Sequence, residues 1–307
     1  MRILVTGAAG FIGSHLVRLL VREGHSVCAV IQPERPAERL VDCIDQVRVF
    51  SIDLNDFQAV RSMTSEVLPE CAIHLAWYAV PGKYLGAPEN LDCVSATIAL
   101  AGALASVGCR RLVAAGTCSE YDGDYGFLSE EITPLRPRSL YGVCKNAARE
   151  ILQAYCEKMG MAFAWTRIFL LYGPQEAEVR LVPSVILALL SGQTAKCTHG
   201  EQIRDYLHVE DVASAIWAVA KSHLRGPVNI GSGDPVKVRT VVETIARLLH
   251  GEENVALGAL AIDPQEPPLL LADVRRLASE VGWKPSLSLE EGLAKTCEWW
   301  RSTIRGR

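Results

Sequence analysis

Short apolar runs alternate with segments of helical periodicity along the first half of the chain. The apolar runs that predict strands are residues 2–7, 26–31, 47–54, 71–77 and 110–117. The segments between them that carry apolar residues at helical spacing are 14–24, 56–67 and 90–107. Apolar strands that alternate with amphipathic helices predict an α/β fold, in which helices cover both faces of a parallel sheet.

The pattern becomes less regular after Pro174. Helical periodicity returns at about 180–191, 211–222 and 236–250, and in a last helix that contains Trp299 and Trp300. We therefore predict a Rossmann-type doubly wound parallel sheet with a smaller C-terminal substrate-binding lobe. The predicted dinucleotide-binding domain is 1–170, to which 202–231 return. The predicted lobe is 171–201 and 232–307.

Composition narrows the class of protein. The 307 residues are 49% hydrophobic and 21% charged, with a net charge of −4, which is typical of a globular protein large enough for a full core. Basic residues cluster only at the C-terminus, so we expect neither nucleic-acid nor membrane-surface binding. The ten cysteines form no CxxC pair, which argues against a metal site and a disulfide framework. With no signal peptide and no apolar run near 18 residues, we expect a cytoplasmic location.

The first predicted strand and helix are joined by a glycine loop, "VTGAAGFIGSHL". Gly7 permits a tight turn, Gly10 lets the backbone approach a pyrophosphate, and Gly13 lets the helix pack on the strand. The free N–H groups at the helix N-terminus then face the anion. This context, at a strand-to-helix junction, predicts dinucleotide binding.

The end of the second strand leaves the choice between NAD and NADP open. The stretch "CAVIQPERPAER" has no acidic residue at the strand end, where NAD enzymes usually have one for the ribose. Arg35 and Arg39 lie nearby, so the sequence slightly favours NADP, although both arginines could equally be solvated. Asp53, which follows the third strand, is a candidate acceptor for the adenine amino group or a helix cap.

A tyrosine and a lysine form the candidate catalytic pair. In "SLYGVCK", Tyr141 and Lys145 are four residues apart and share one face of a helix that runs to about 158. An ammonium one turn away is expected to lower the pKa of the phenol. Such a tyrosine can exchange a proton with a sugar hydroxyl while hydride moves at the same carbon.

With these features, the chain resembles the extended short-chain dehydrogenases/reductases, in particular the NAD-dependent epimerase/dehydratase group that acts on nucleotide sugars. The motifs that carry the resemblance span nearly the whole chain: "TGAAGFIG", "IDLND", "IHLAW", "GTCSEY", "YGVCK", "TRIFLLYGP", "RLVPSVI", "IRDYLHVEDVASA", "VNIGSG" and "ADVRRLASEVGWKP". Two positions depart from the family pattern. Leu170 replaces a usual Asn, and "EPPLLLAD" lacks a usual Arg.

The resemblance implies roles for individual residues. Thr117 would bond the reacting sugar oxygen, Lys145 would also reach the nicotinamide ribose, and Arg204 would hold the nucleotide diphosphate. The cofactor would be lined by Gly7, Gly10, Phe11, Ile12, Gly13, Arg35, Asp53, Leu54, Leu75, Ala76 and Lys145. Substrate contacts are expected from Thr117, Ser119 and Arg204. The resemblance also implies a homodimer, in which the helix that carries Tyr141 and the helix at 90–107 form a four-helix bundle with a partner.

The residue two after Thr117 bears on the reaction type. Sugar 4,6-dehydratases and uronic-acid decarboxylases carry a glutamate there, whereas this chain has Ser119, which has little basicity near neutral pH. On an extended strand, Glu120 would point to the opposite side. Cys118 is expected to be a buried thiol, and a role as a base stays open.

Several functions remain compatible with these residues. The leading interpretation is an NAD(P)-dependent 4-ketoreductase of a nucleotide-linked (deoxy)hexose. A nucleotide-sugar 4-epimerase is the alternative. A dehydratase or decarboxylase is less favoured, and the intact Tyr141 and Lys145 argue against a non-catalytic dinucleotide sensor. The sequence identifies neither the sugar nor the nucleotide.

Overall fold

The computed structural model describes residues 1–33 and 37–305. The strands are β1 (Arg2–Thr6), β2 (Ser26–Ile31), β3 (Arg48–Ser51), β4 (Cys71–His74), β5 (Arg111–Thr117), β6 (Phe127–Leu128), β7 (Ala162–Ile168), β8 (Leu170–Tyr172), β9 (Ala195–Lys196), β10 (Ile203–His208), β11 (Gly226–Ile230), β12 (Pro235–Lys237), β13 (Val255–Ala256) and β14 (Leu269–Ala272). The α-helices are α1 (Phe11–Arg22), α2 (Phe57–Val67), α3 (Glu89–Ser106), α4 (Leu140–Met159), α5 (Leu181–Leu190), α6 (Val209–Lys221), α7 (Val238–Leu249), α8 (Arg275–Glu280) and α9 (Leu289–Arg305).

A parallel sheet organises the larger layer of the molecule. Within the described residues, seven strands pair in the order β3-β2-β1-β4-β5-β7-β11. The order reverses beside β1, because the chain first adds strands on one side of β1 and then on the other. This is the doubly wound arrangement that the alternating pattern predicts, and it confirms the fold class.

Helices cover both faces of the sheet because successive strand residues point to opposite sides. On β1, Ile3 and Val5 join the core under α1 and α6, whereas Leu4 joins the core under α2, α3 and α4. Strands such as β5 are buried along their whole length, which explains their continuous apolar runs.

The smaller lobe has a sheet and a core of its own. Strand β10 pairs in parallel with β8 and β14 and antiparallel with β12. Helices α5, α7 and α9 bury residues such as Ile186, Val242 and Trp300 in a separate core. Of the segment 202–231, α6 and β11 pack with the large sheet, while β10 belongs to the sheet of the lobe.

Two predicted strands are shorter in the structure than the apolar runs suggest. Strand β3 ends at Ser51 and β4 ends at His74, although their runs extend to 54 and 77. The residues that follow are half-buried loops at the carboxyl edge of the sheet. Their apolar side chains pack under this edge instead of extending the ladder, which is why hydropathy alone overestimates the strands.

Candidate active site

The predicted catalytic residues meet where β5 ends and α4 begins. Thr117 is the last residue of β5, and the chain then turns into a 3₁₀ helix, Cys118–Glu120. The Thr117 hydroxyl accepts a hydrogen bond from the Ser119 N–H at 3.2 Å. Ser139 caps α4 by accepting a hydrogen bond from the Gly142 N–H. These local turns bring the Thr117 hydroxyl into a hydrogen bond with the phenol of Tyr141.

Lys145 lies beneath this pair and is 3% exposed. Its Nζ donates a hydrogen bond to the Ala115 carbonyl at 2.7 Å, two residues before Thr117. The same Nζ lies 3.7 Å from the centre of the Trp77 ring and 5.9 Å from that of Tyr141. The ammonium is therefore held by a backbone carbonyl and by cation–π contacts.

Burial controls the proton affinities of the pair. Burial lowers the pKa of Lys145 to about 7, although the charge of Glu120 acts in the opposite direction. Burial also raises the pKa of the Tyr141 phenol, with the Thr117 hydrogen bond opposing it. The expectation of a lowered Tyr141 pKa is therefore wrong for this structure, because desolvation of the phenolate exceeds any effect of the ammonium.

The close approach of α4 to the 3₁₀ helix depends on Gly142. A Cβ atom at this position would collide with the Ser119 carbonyl oxygen and would lie 2.8 Å from Cβ of Pro137. Only a residue without a side chain lets the first turn of α4 come this near. The glycine in "YGVCK" therefore has a packing reason, namely to place Tyr141 beside Thr117.

The stretch after Thr117 differs from the predicted extended strand. Because residues 118–120 form a 3₁₀ helix, Glu120 turns inward and is fully buried, bonded to Arg167 at 2.8 Å. Ser119 is half-buried beside the candidate catalytic residues. Burial raises the pKa of the Cys118 thiol to about 12, which leaves it protonated and unsuited to act as a base near neutral pH.

The glycine loop fits a dinucleotide pyrophosphate. Gly7 has φ +68°, and a Cβ there would lie 2.8 Å from the Ala76 N, so both conformation and space require glycine. Gly13 lies against the Gly7 carbonyl, which brings α1 onto β1. Gly10 precedes Phe11 and Ile12, and no side chain caps the N-terminus of α1. The N–H groups of this first turn are thus available to an anion.

The other predicted cofactor residues lie along the same edge, with one outside the described residues. The Leu75 N–H donates to the Thr6 carbonyl, and the Ala76 N–H donates to the Thr6 hydroxyl, so both flank the glycine loop. Asp53 is exposed and accepts a hydrogen bond from the Asn55 N–H. The cap of α2 is instead Asp56. Half-buried Leu54 packs beside the core under α2. Arg35 lies outside the described residues.

Arg39 is bound to the loop that follows β8. Its guanidinium donates hydrogen bonds to the Gln175 carbonyl at 3.0 and 3.3 Å. Nearby, Arg18 forms an ion pair with Asp42 at 2.7 Å. Arg39, one of the two arginines that could favour a 2′-phosphate, therefore already has a partner in the chain.

Arg204 is buried at 3% exposure, and its partner is not the neighbouring Asp205. Its Nη2 lies 2.5 Å from Oε1 of Glu266, and its Nη1 donates to the carbonyl of Ile203. The Asp205 carboxylate accepts hydrogen bonds from Ser232 and from the N–H groups of Gly233 and Ala272. The two neighbouring charged residues of β10 therefore have separate partners.

Three residues at the site have roles that sequence reasoning missed. Trp77 covers the Lys145 ammonium and donates to the side chain of Asn90. The Tyr84 ring packs edge-on against Tyr141 at 4.9 Å. His74 is buried, bonds Thr6 and Thr97, and has a pKa lowered to about 3 by burial. The aromatic residues next to "IHLA" were the available signal, but their orientation depends on tertiary packing.

The family model described as the NAD dependent epimerase/dehydratase family matches residues 3–231. The chain therefore belongs to this family of enzymes, and its resemblance to the extended short-chain dehydrogenases/reductases is confirmed. The glycine loop, the Thr117 strand end and the Tyr141–Lys145 helix all fall inside the matched region.

Individual relatives cover nearly the whole chain. A UDP-glucose 4-epimerase from Mycolicibacterium smegmatis is 33% identical over 98% of this chain and 99% of its own length. UDP-glucuronic acid decarboxylase 1 from Xenopus tropicalis is 30% identical over 99% of this chain and 73% of its own length. The protein MoeE5 was solved with UDP-glucuronic acid and NAD. It is 35% identical, with a TM-score of 0.84 over 99% of this chain and 100% of its own.

The geometry around Gly142 yields a first prediction. Gly142→Ala should lower turnover at least about tenfold, because the added methyl group must push the first turn of α4 away from Ser119. Gly102→Ala is the matched control, since a Cβ at this helical glycine has ordinary contact distances. Steady-state kinetics and thermal unfolding of both variants check the prediction. Parental turnover in folded Gly142→Ala would contradict the close-approach argument.

Proposed function

We propose that the protein is an NAD-dependent 4-epimerase of a UDP-linked hexose or hexuronic acid. The observation that carries the proposal is the cluster of Thr117, Tyr141 and Lys145, combined with Ser119 where eliminating relatives carry a glutamate. The UDP-glucose 4-epimerase relative and the sugar ligands of MoeE5 support the substrate class. We propose that the cofactor binds on 1–170 and 202–231, and the substrate on 171–201 and 232–307 together with Arg204 of β10.

In the proposed reaction the chain handles one proton. Tyr141 takes the proton from the C4 hydroxyl of the sugar and returns it to the C4 oxygen after the face has changed. Thr117 donates a hydrogen bond that orients the same oxygen. Lys145 contributes positive charge below the phenol and binds the cofactor ribose. A dinucleotide whose pyrophosphate is held at Gly7, Gly10 and the first turn of α1 would supply the hydride acceptor and donor.

Dehydration, which must remove the C5 proton, lacks a base in this stretch. Removing the C5 proton calls for a carboxylate within hydrogen-bond reach of the sugar. Glu120 is unsuitable, because its carboxylate is fully buried and paired with Arg167. The Cys118 thiol is held protonated by burial. Redox at C4 alone is the chemistry that the remaining groups support.

The relatives favour epimerisation over the net 4-ketoreduction that led the sequence interpretation. UDP-sugar 4-epimerases recur among them, including a UDP-glucuronate 4-epimerase from Thermodesulfobacterium geofontis at 26% identity. Epimerisation returns the hydride to the same carbon, so the cofactor needs no exchange. We propose NAD rather than NADP, since the MoeE5 structures hold NAD and Arg39 is occupied by Gln175.

We propose that Arg204 binds the nucleotide diphosphate after Glu266 has left it. A guanidinium buried at 3% exposure is a strong anion site once its internal carboxylate moves. Glu266 is 36% exposed at its side chain and lies on a loop before β14, so it can swing outward. The internal pair would keep the guanidinium compensated until the substrate phosphates replace the carboxylate.

We propose a homodimer through α3 and α4. These helices expose apolar side chains on their outer surface, namely Leu91, Ile98, Val143 and Ile151. Ile98 and Ile151 also line a small apolar depression between the two helices. Pairing with the same surface of a second copy would bury this stripe in a four-helix bundle. Among the described residues, no helix combines the length and apolar composition needed to cross a membrane.

The enzyme should interconvert a UDP-hexose or UDP-hexuronic acid with its 4-epimer without net change in absorbance at the reduced nicotinamide band. Tyr141→Phe should lower turnover by at least about a hundredfold, the usual size of a general acid–base contribution. Chromatography of the sugar nucleotides and mass spectrometry of the copurifying dinucleotide measure both parts.

Three outcomes of this assay would contradict the proposal. Stoichiometric oxidation of reduced cofactor with a 4-keto sugar nucleotide would show that the enzyme is a 4-ketoreductase. Release of carbon dioxide would identify a decarboxylase, and a 4-keto-6-deoxy product would show that another base exists. Half the parental activity in Tyr141→Phe would exclude it as the proton carrier.

The diphosphate assignment predicts opposite effects at two positions. Arg204→Leu should weaken UDP binding ten- to a hundredfold, because a charge-assisted fork contributes about 1.5–3 kcal/mol. Glu266→Gln should strengthen UDP binding severalfold, because it weakens the internal competitor. Glu201→Gln is the control, since this carboxylate pairs with Lys237 and Arg239. Calorimetry measures the UDP affinity of all three variants. Unchanged affinity in Arg204→Leu would show that this arginine does not bind the diphosphate.

The dimer proposal predicts that charge on the apolar stripe separates the subunits. Ile98→Asp combined with Ile151→Asp should convert a dimer into a monomer, because two charges would be buried without partners. Val41→Asp is the control, since this residue is 75% exposed next to the helical turn that packs on α1. Light scattering after size exclusion gives the mass. A monomeric parent, or a dimeric double variant, would rule out this interface.

A further inference from the structure

The buried carboxylate of Glu120 is the group at the site that the proposed reaction leaves unused. It is fully buried and lies three residues after the candidate catalytic Thr117. Oε1 accepts hydrogen bonds from the Thr117 N–H and from the Trp165 indole, each at 2.8 Å. Oε2 accepts one from Nε of Arg167, also at 2.8 Å. The carboxylate thus joins the end of β5 to two side chains of β7.

The network continues from Arg167 to the edge of the sheet. Nη1 of Arg167 donates to the hydroxyl of Tyr121 at 2.9 Å, and this hydroxyl donates to the Asn229 side chain at 2.8 Å. The Asn229 amide donates to the carbonyls of Leu128 and Asp273. The Thr117 peptide is therefore tied, through buried polar groups, to β11 and to the segment that enters the smaller lobe.

The chain makes room for this carboxylate at Gly116. A Cβ at that position would collide with the Trp165 indole and lie 2.7 Å from Oε1 of Glu120. A buried ion pair costs desolvation free energy that apolar residues of similar size would avoid. A glycine, a tryptophan and an arginine are nevertheless arranged around this one carboxylate. Since apolar packing would cost less, the arrangement indicates a role beyond packing.

Glu120 also faces the Lys145 ammonium electrostatically. The described titratable groups that face Lys145 are Glu120, Cys93 of α3, His74 of β4 and Tyr141. Burial raises the pKa of Cys93 and of Tyr141 and lowers that of His74 to about 3, so these three are neutral near pH 7.

The remaining charges near Lys145 come from the buried network. Glu120 carries the negative charge. Arg167 forms an ion pair with it, and Arg149 interacts electrostatically with both. The Lys145 Nζ lies 5.7 Å from the centre of the Trp165 ring, whose indole N–H bonds Glu120, and the carboxylate favours the protonated amine. If the carboxylate were neutralised, Lys145 would lose this favourable charge while the two guanidinium groups remained nearby.

We propose that Glu120 is a positioning residue for the site: it fixes the Thr117 peptide and serves as the counter-charge that keeps Lys145 an ammonium. It touches neither substrate nor cofactor and acts through Thr117 and Lys145. The kinetic part of the inference rests on the proposed function, whereas the charge part concerns the protein alone.

The test compares Glu120→Gln with the paired replacement Glu120→Leu/Arg167→Met. The first variant removes the negative charge and leaves Arg167, so the Lys145 titration midpoint should fall by at least about half a pH unit. The second removes the guanidinium together with the carboxylate, so the midpoint should fall less than in the first variant. The midpoint is read by NMR from lysine labelled with ¹³C at Cε, and Lys145→Met assigns the signal.

Turnover should fall about ten- to a hundredfold in the paired replacement, with KM changed less than about twofold, because it loses the acceptor that holds the Thr117 N–H. The fall should be smaller in Glu120→Gln, whose amide oxygen can still accept from this N–H. Glu130→Gln is the control. This half-buried carboxylate binds the Asn229 N–H at the far end of the network, and its loss should leave turnover and the Lys145 midpoint unchanged.

The outcomes separate the inference from the proposed function. Parental turnover and midpoint in folded Glu120→Gln would overturn the inference. If Glu120→Gln does not fold, the paired replacement decides, because apolar pairs usually substitute well for a buried ion pair. Parental turnover in that variant would then overturn the positioning role. A parent inactive on UDP-sugars would refute the proposed function, while the NMR midpoint would still decide the charge role.

Discussion

The end of β5 imposes the constraint on which the site depends. The first turn of α4 and the Trp165 side chain must come close to residues 116–120, and Gly116 and Gly142 are the positions that permit it. Gly116 makes room for the Trp165 indole, and Gly142 lets α4 approach Ser119. As a result a threonine from β5 meets a tyrosine and a lysine from α4. The geometry is preorganised by close packing.

Polar groups at this junction are buried and satisfied, which gives the site its rigidity. Lys145 donates a hydrogen bond to the Ala115 carbonyl, and Glu120 accepts one from the Thr117 N–H. Desolvation then moves the pKa of Lys145 down to about 7 and that of Tyr141 upward. The pKa values at the site are therefore set mainly by the exclusion of water. The four-residue spacing of tyrosine and lysine has a smaller effect on them.

The smaller lobe contains the arginine that we propose as the phosphate site. Its sheet is built around β10, which buries Arg204 and Asp205 side by side but gives them different partners. Asp205 accepts hydrogen bonds from backbone N–H groups, whereas Arg204 pairs with the half-exposed side chain of Glu266. A cation with an exchangeable carboxylate partner can be stabilised in the free protein and still be released to a phosphate.

The sequence by itself determined the α/β class, the order of the elements and the family. Period-two and period-3.6 patterns follow from burial on one or both faces of an element, which is a local property. Only the tertiary structure decided which groups touch. It turned Glu120 inward on a 3₁₀ helix, placed Trp77 over Lys145, gave Arg204 to Glu266, and set the direction of the Tyr141 pKa. These outcomes depend on contacts between residues distant in the chain and on the exclusion of water from them, and no local pattern encodes either.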